Sequence, residues 1–96
     1  MARYTLSPRA QKSLKKISEY TQAEHGPQQR KTYISMLRDQ MRRVAESPRQ
    51  GRVRDDIKPG YYSIRAGKHC IYYRLRDSHT EIIDVLHESM DPDRHL

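Results

Sequence analysis

Gly60-Tyr61-Tyr62-Ser63-Ile64-Arg65-Ala66-Gly67-Lys68-His69-Cys70-Ile71-Tyr72-Tyr73-Arg74 is the stretch on which the fold turns. On both sides of Ala66-Gly67-Lys68 the chain is rich in Tyr and Ile, which suit a pleated, half-buried surface, and the glycine between them is a hairpin-turn signal. Two strands are therefore expected, Tyr61 to Ala66 and His69 to Arg76. Side chains alternate along a strand, so Ile71, Tyr73 and Leu75 share one face of the second, and Cys70, Tyr72, Arg74 and Arg76 share the other. The first face should be dry and the second partly wet. A further break, Asp77-Ser78-His79, leads to a third strand, Thr80 to Glu88, in which Ile82-Ile83-Asp84-Val85-Leu86 is apolar towards both faces. That pattern fits an inner strand.

Upstream, the spacing changes from two to three or four. Ser7-Pro8 is a helix start, since Ser can accept from an orphan backbone N–H and Pro at the first helical position loses no internal bond. Ala10, Leu14, Ile17 and Thr21 follow on one face, and Gly26 offers a cheap left-handed stop before Pro27. A second helix from about Pro27 or Gln28 carries Arg30, Tyr33 or Ile34, Leu37, Met41 and Val44, and Pro48 ends it. The short connection predicts antiparallel neighbours, a helical hairpin whose apolar stripe needs a sheet as cover. Met36, Leu37 and Met41 read by default as part of that stripe. Before the first helix, Ala2 to Leu6 alternates as a short strand; between Ser47 and Gly60 the Pro, Gly, Arg and Asp content marks a loop that Ile57 could pin. The expected fold is α+β, strand-helix-helix-three strands, in a single domain spanning 1–96 with a polar tail from Ser89 to Leu96.

Ninety-six residues with 34% hydrophobic content suffice for one modest core and exclude two independent ones. No apolar run approaches the roughly 20 residues needed to cross a bilayer, and no signal-peptide pattern opens the chain, so a soluble, cytoplasmic protein is expected. The lone Cys70 excludes an intramolecular disulfide and a cysteine-based zinc site. Charge is lopsided. Residues 1–54 hold 13 basic and 4 acidic side chains, whereas residues 55–96 hold 6 and 8. A positive field of that kind attracts nucleic acid or an acidic protein equally well.

Candidate chemistry is sparse. His25, His69, His79, His87 and His95 show no pair at the helical spacing of a zinc protease, and no metal or cofactor is expected. Arg65, Lys68, His69 and Arg74 offer the base, acid and cations that metal-free RNA cleavage requires, yet their spacing does not show that they converge. No phosphate loop, nucleophile elbow or helix-turn-helix signature occurs.

Several motifs together resemble the ParE toxins of type II toxin-antitoxin modules, within the RelE/ParE superfamily. They are Tyr4-Thr5-Leu6-Ser7-Pro8-Arg9-Ala10, Ile17 to Tyr20 with Gly26 and Gln29, the Pro48-x-x-Gly51 loop, Gly60-Tyr61 with Gly67 to Arg74, and Val85 to Asp91 with Arg94-His95-Leu96. The resemblance implies a hairpin packed on a twisted antiparallel sheet. It implies a toxin that stalls DNA gyrase with cleaved DNA, has no catalytic residue, and forms a hetero-oligomer with a neutralising ParD-type antitoxin; it binds no nucleic acid stably by itself. The superfamily's RelE branch, which cuts messenger RNA in the ribosome, is the alternative. Its members carry a basic residue and a Tyr near the carboxy terminus, where this chain has Glu88-Ser89-Met90-Asp91 and no Tyr after Tyr73.

Two contact sets follow as expectations. An acidic antitoxin segment should lie along the hairpin at Tyr20, Tyr33, Leu37 and Met41, although Leu37 and Met41 read equally well as core. The gyrase-directed determinant should comprise His87, Glu88, Ser89, Met90, Asp91, Arg94, His95 and Leu96, assisted by Arg65 and Arg74.

Overall fold

The computed structural model describes residues 3–96; Ala2, the expected first residue of the opening strand, lies outside them. Strand β1 (Tyr4–Leu6) leads into the helical element α1 (Pro8–Glu46), and a single turn of tighter helix (Pro48–Gln50) follows. The short strand β2 (Arg52–Val53), then β3 (Tyr61–Ala66), β4 (His69–Leu75), β5 (Thr80–His87) and the one-turn helix α2 (Pro92–His95) complete the chain. At 1.5 Å per residue a straight helix of 39 residues would run about 58 Å, beyond the 38 Å longest dimension of the molecule. The chain escapes at Gly26, whose φ of 89° and ψ of 169° lie outside helical space. This break, at the position expected from sequence, gives two limbs, 8–25 and 27–46. Their apolar sides, Ala10 and Leu14 from one and Leu37, Met41 and Val44 from the other, enter a common core.

The sheet has five strands in the order β1-β5-β4-β3-β2. Three of its pairings are antiparallel, but β1 runs parallel to β5, with Tyr4 opposite Thr80 and Leu6 opposite Ile82. The sheet is therefore mixed, where a wholly antiparallel one was expected. Ser7 fixes the corner: its hydroxyl accepts from the Ala10 amide at 3.0 Å as helix cap and donates to the Ile83 carbonyl at 2.6 Å. β5 is an inner strand, as its two-sided apolar pattern predicted, and it carries an irregularity at Ile83 where Tyr72 pairs with Asp84 but Tyr73 with Ile82. Past Ile82 no strand lies beside its outer edge among the described residues. Asp84 closes that edge with its carboxylate, accepting from the Val85 amide at 2.8 Å and from the Ser13 hydroxyl at 2.5 Å.

Ile71 and Tyr73 face the helices with Ala66, Ile82 and Val85, as the alternation predicted. Leu75 does not: at the strand end it is exposed. Tyr72, on the supposedly wet face, is buried because Arg54 from the preceding loop lies over its ring, 5.7 Å from the centroid. That loop also contributes β2, so it is more than a crossing. Tyr73 explains its path. Its hydroxyl donates to the Pro48 carbonyl at 2.7 Å and accepts from the Gly51 amide at 3.1 Å; a Cβ on residue 51 would sit 2.2 Å from that oxygen. The Pro-x-x-Gly spacing thus makes room for a buried tyrosine to hold the loop. Among the described residues, no helix is long and apolar enough to cross a membrane.

Candidate functional site

The first limb of α1, the β3–β4 turn and the segment after β5 enclose a groove of about 650 Å³. Ile17 and Thr21 from the first limb and Tyr33 from the second form one wall, His69 and His87 the floor, and Ser89 and Met90 the other wall. Tyr20 at 66% and Met90 at 45% exposure stand at its lips, two large apolar side chains left open to solvent. Lys16, His25 and Lys68 supply a basic rim.

Hydrogen bonds weld the floor together. The Tyr33 hydroxyl accepts from the Lys68 amide at 2.9 Å and is hydrogen-bonded to His69 Nδ1 at 2.6 Å. Burial, and then the neighbouring His87, push the His69 pKa down from 6.5 to about 4, against an opposing pull from Glu88. The His69 and His87 rings meet edge to face at 5.3 Å, and His87 Nδ1 accepts from the Ser89 amide at 3.1 Å. A continuous chain of contacts thus joins the second limb of α1 to the segment beyond β5. Arg65 pairs with Glu88 and donates to the Gly67 carbonyl at 3.1 Å, tying the turn to the same segment.

Residues expected in two separate contact sets therefore share one place. Tyr20 and Tyr33 line the groove together with His87, Ser89 and Met90, and the Arg65–Glu88 pair adjoins it. Leu37 and Met41 are not contact residues. Both are fully buried in the chain's own core, where a partner reaches them only by opening it. Arg74 also lies elsewhere: it sits opposite Tyr61 and pairs with Glu81 at 2.7 Å, holding that carboxyl below its ordinary range, whereas Arg65 sits opposite Cys70. Four residues of strand, about 13 Å, separate the two arginines along β3. Arg65, Lys68, His69 and Arg74 accordingly do not form one catalytic cluster. The final segment is an ordered turn of helix capped by Asp91, whose carboxylate accepts from the Asp93 amide at 3.0 Å, and Arg9 donates to the His95 carbonyl. Arg94 and His95 line a second cleft with Arg9, Lys12 and Lys16. The roles of Ile17, Lys16, His25 and Lys68 were missed. Only the pairing of the β3–β4 turn with the helix face brings them together, and no spacing along the chain encodes that. Among the described residues no group of three or more His, Cys, Asp or Glu is placed to hold a metal ion.

A helical region broken at a glycine, laid on a five-stranded sheet and meeting the carboxy-terminal segment in an apolar groove, is the architecture of a RelE/ParE-type toxin. The family model described as ParE toxin of type II toxin-antitoxin system matches residues 4–92, and the chain belongs to that family. It is 41% identical over 96 residues to Toxin ParE1 of Mycobacterium tuberculosis, covering 99% of this chain and 98% of that one. Toxin ParE1 of Caulobacter vibrioides is 34% identical over 96 residues, covering 100% and 99%. In fold it is similar to a chain of the chromosomal ParDE system from P. aeruginosa, with a TM-score of 0.78 at 16% identity over 91% of this chain and 96% of that one. It is less similar to a chain of the YoeB–YefM complex from Staphylococcus aureus, at 0.57 and 20% identity over 91% and 97%. The protein is the toxin component of a type II toxin-antitoxin system. Toxins of the ParE type act without enzymatic chemistry.

Proposed function

We propose that this toxin poisons DNA gyrase, arresting it with cleaved DNA, and that a ParD-type antitoxin neutralises it by forming a stable hetero-oligomer. Family membership over residues 4–92 is the observation that carries the reading. The groove supports it physically: exposed Tyr20 and Met90 beside Lys16, His25 and Lys68 suit an amphipathic, acidic segment of a partner, in a chain whose first 54 residues are strongly basic. The separation of Arg65 from Arg74, and the acidic Glu88 and Asp91 where a cleaving toxin carries a base, weigh against the ribosome-dependent nuclease. Purified gyrase with supercoiled plasmid is the test. Linear, gyrase-bound DNA should accumulate as toxin is added, and premixing with antitoxin should abolish it. Undisturbed gyrase together with codon-specific messenger RNA cuts on expression would replace this reading with the nuclease.

A further inference from the structure

The second cleft, of about 490 Å³, runs beside the groove between the first limb of α1 and helix α2. Arg9, Lys12 and Lys16 recur at positions three and four apart, so they stand in a row on one face of the limb. None of the three has a carboxylate partner among the described ion pairs, and Lys12 with Lys16 is a like-charge pair of the kind that destabilises a bare helix. Arg94 and His95 face them from the opposite wall. The negative groups nearby do little to offset this. Asp84, in the cleft floor, is 3% exposed and committed to Ser13 and Val85, and Asp91 lies 3.9 Å from Arg94 while capping α2. A row of exposed cations without carboxylate partners, Arg9 held only by the His95 carbonyl, is suited to evenly spaced charges rather than to one carboxylate.

Resting on the gyrase reading, we propose that this cleft takes the sugar-phosphate backbone of the DNA held by gyrase, so that the toxin grips enzyme and nucleic acid together. The cleft shares Ile17 and Met90 with the groove and adds Val85 and Leu86, so what suits it to phosphates is the facing of Arg9, Lys12 and Lys16 by Arg94 and His95, and not a want of apolar surface. Few phosphates are reached, which agrees with a protein that holds DNA only when another enzyme presents it.

Lys12 and Arg94 line the cleft and not the groove, so the double variant Lys12→Glu with Arg94→Glu separates the two surfaces. It should trap at least tenfold less cleaved DNA on gyrase, and the slope of log affinity for the gyrase–DNA complex against log salt should flatten by about 1.8. Affinity for the antitoxin should change less than threefold, and helical content should be unaltered. A photo-crosslinking residue at position 12 should label DNA in the trapped complex. Trapping equal to wild type, or labelling of gyrase polypeptide alone, overturns the proposal. An equal loss of antitoxin affinity overturns it in favour of an acidic peptide. Failure of the unaltered toxin to inhibit gyrase at all would instead sink the gyrase reading, and the cleft assignment with it.

Discussion

Single side chains in this toxin hold segments that are far apart in sequence. Tyr73 is the clearest, a fully buried ring whose hydroxyl serves both Pro48 and Gly51. Tyr73→Phe keeps the ring and strands a partly buried carbonyl and amide, so urea unfolding should show a loss of about 1 kcal/mol. His69 acts through its neutrality. Its pKa of about 4 in the folded chain lies below the ordinary 6.5, so on acidification the unfolded chain takes up the proton first. Stability from this group is complete above about pH 6.5 and drains away as pH falls towards 4. Urea midpoints measured between pH 7.5 and 4.5 should decline over that window, and His69→Gln should remove the part of the decline above pH 5. Burial is the larger cause of that shift and His87 the second, so His87→Gln should move His69 only part of the way back towards 6.5 in an NMR titration; a full return would make the neighbouring imidazole dominant.

Among the elements, the helical hairpin depends on one backbone conformation. Gly26 occupies a region of φ and ψ essentially reserved for glycine, yet a Cβ there would meet nothing within 4 Å. Gly26→Ala should therefore cost about 1–3 kcal/mol through conformation alone, readable as a lower urea midpoint with unchanged circular dichroism. The carboxy-terminal element poses the opposite case. Helix α2 has no buried residue and is held by its Asp91 cap and by Arg9. Removal of Ser89 to Leu96 should leave the far-ultraviolet spectrum intact and abolish gyrase inhibition; a truncated chain that unfolds would make the segment structural. Elements with many residues in register were legible in the sequence: both helical limbs, the stop at Gly26 and the strands flanking Gly67. Strand β2, two residues long, shows no period at all, and Leu75 misled because alternation gives a side chain's face and not whether the strand end is covered.

The molecule as a whole exposed a further limit of sequence reasoning. The alternation of Tyr4 and Leu6 indicates a strand but carries no information on the direction of its neighbour, so the parallel pairing with β5 was not readable. Likewise Tyr33 and His87 each looked like members of separate surfaces, and only the closed fold places both in one groove. The β1–β5 pairing has a consequence for how the toxin comes into being. The Ser7 hydroxyl that caps α1 is bound to Ile83, 76 positions later, so β1 waits for β5 before the sheet can close. The first limb of α1 packs on that same late strand, and the far wall of the groove lies beyond it. A nascent chain thus has no finished groove and no finished cleft until Thr80–His87 and the segment beyond it have been made. That delay gives an antitoxin already present the opportunity to meet the toxin as it folds.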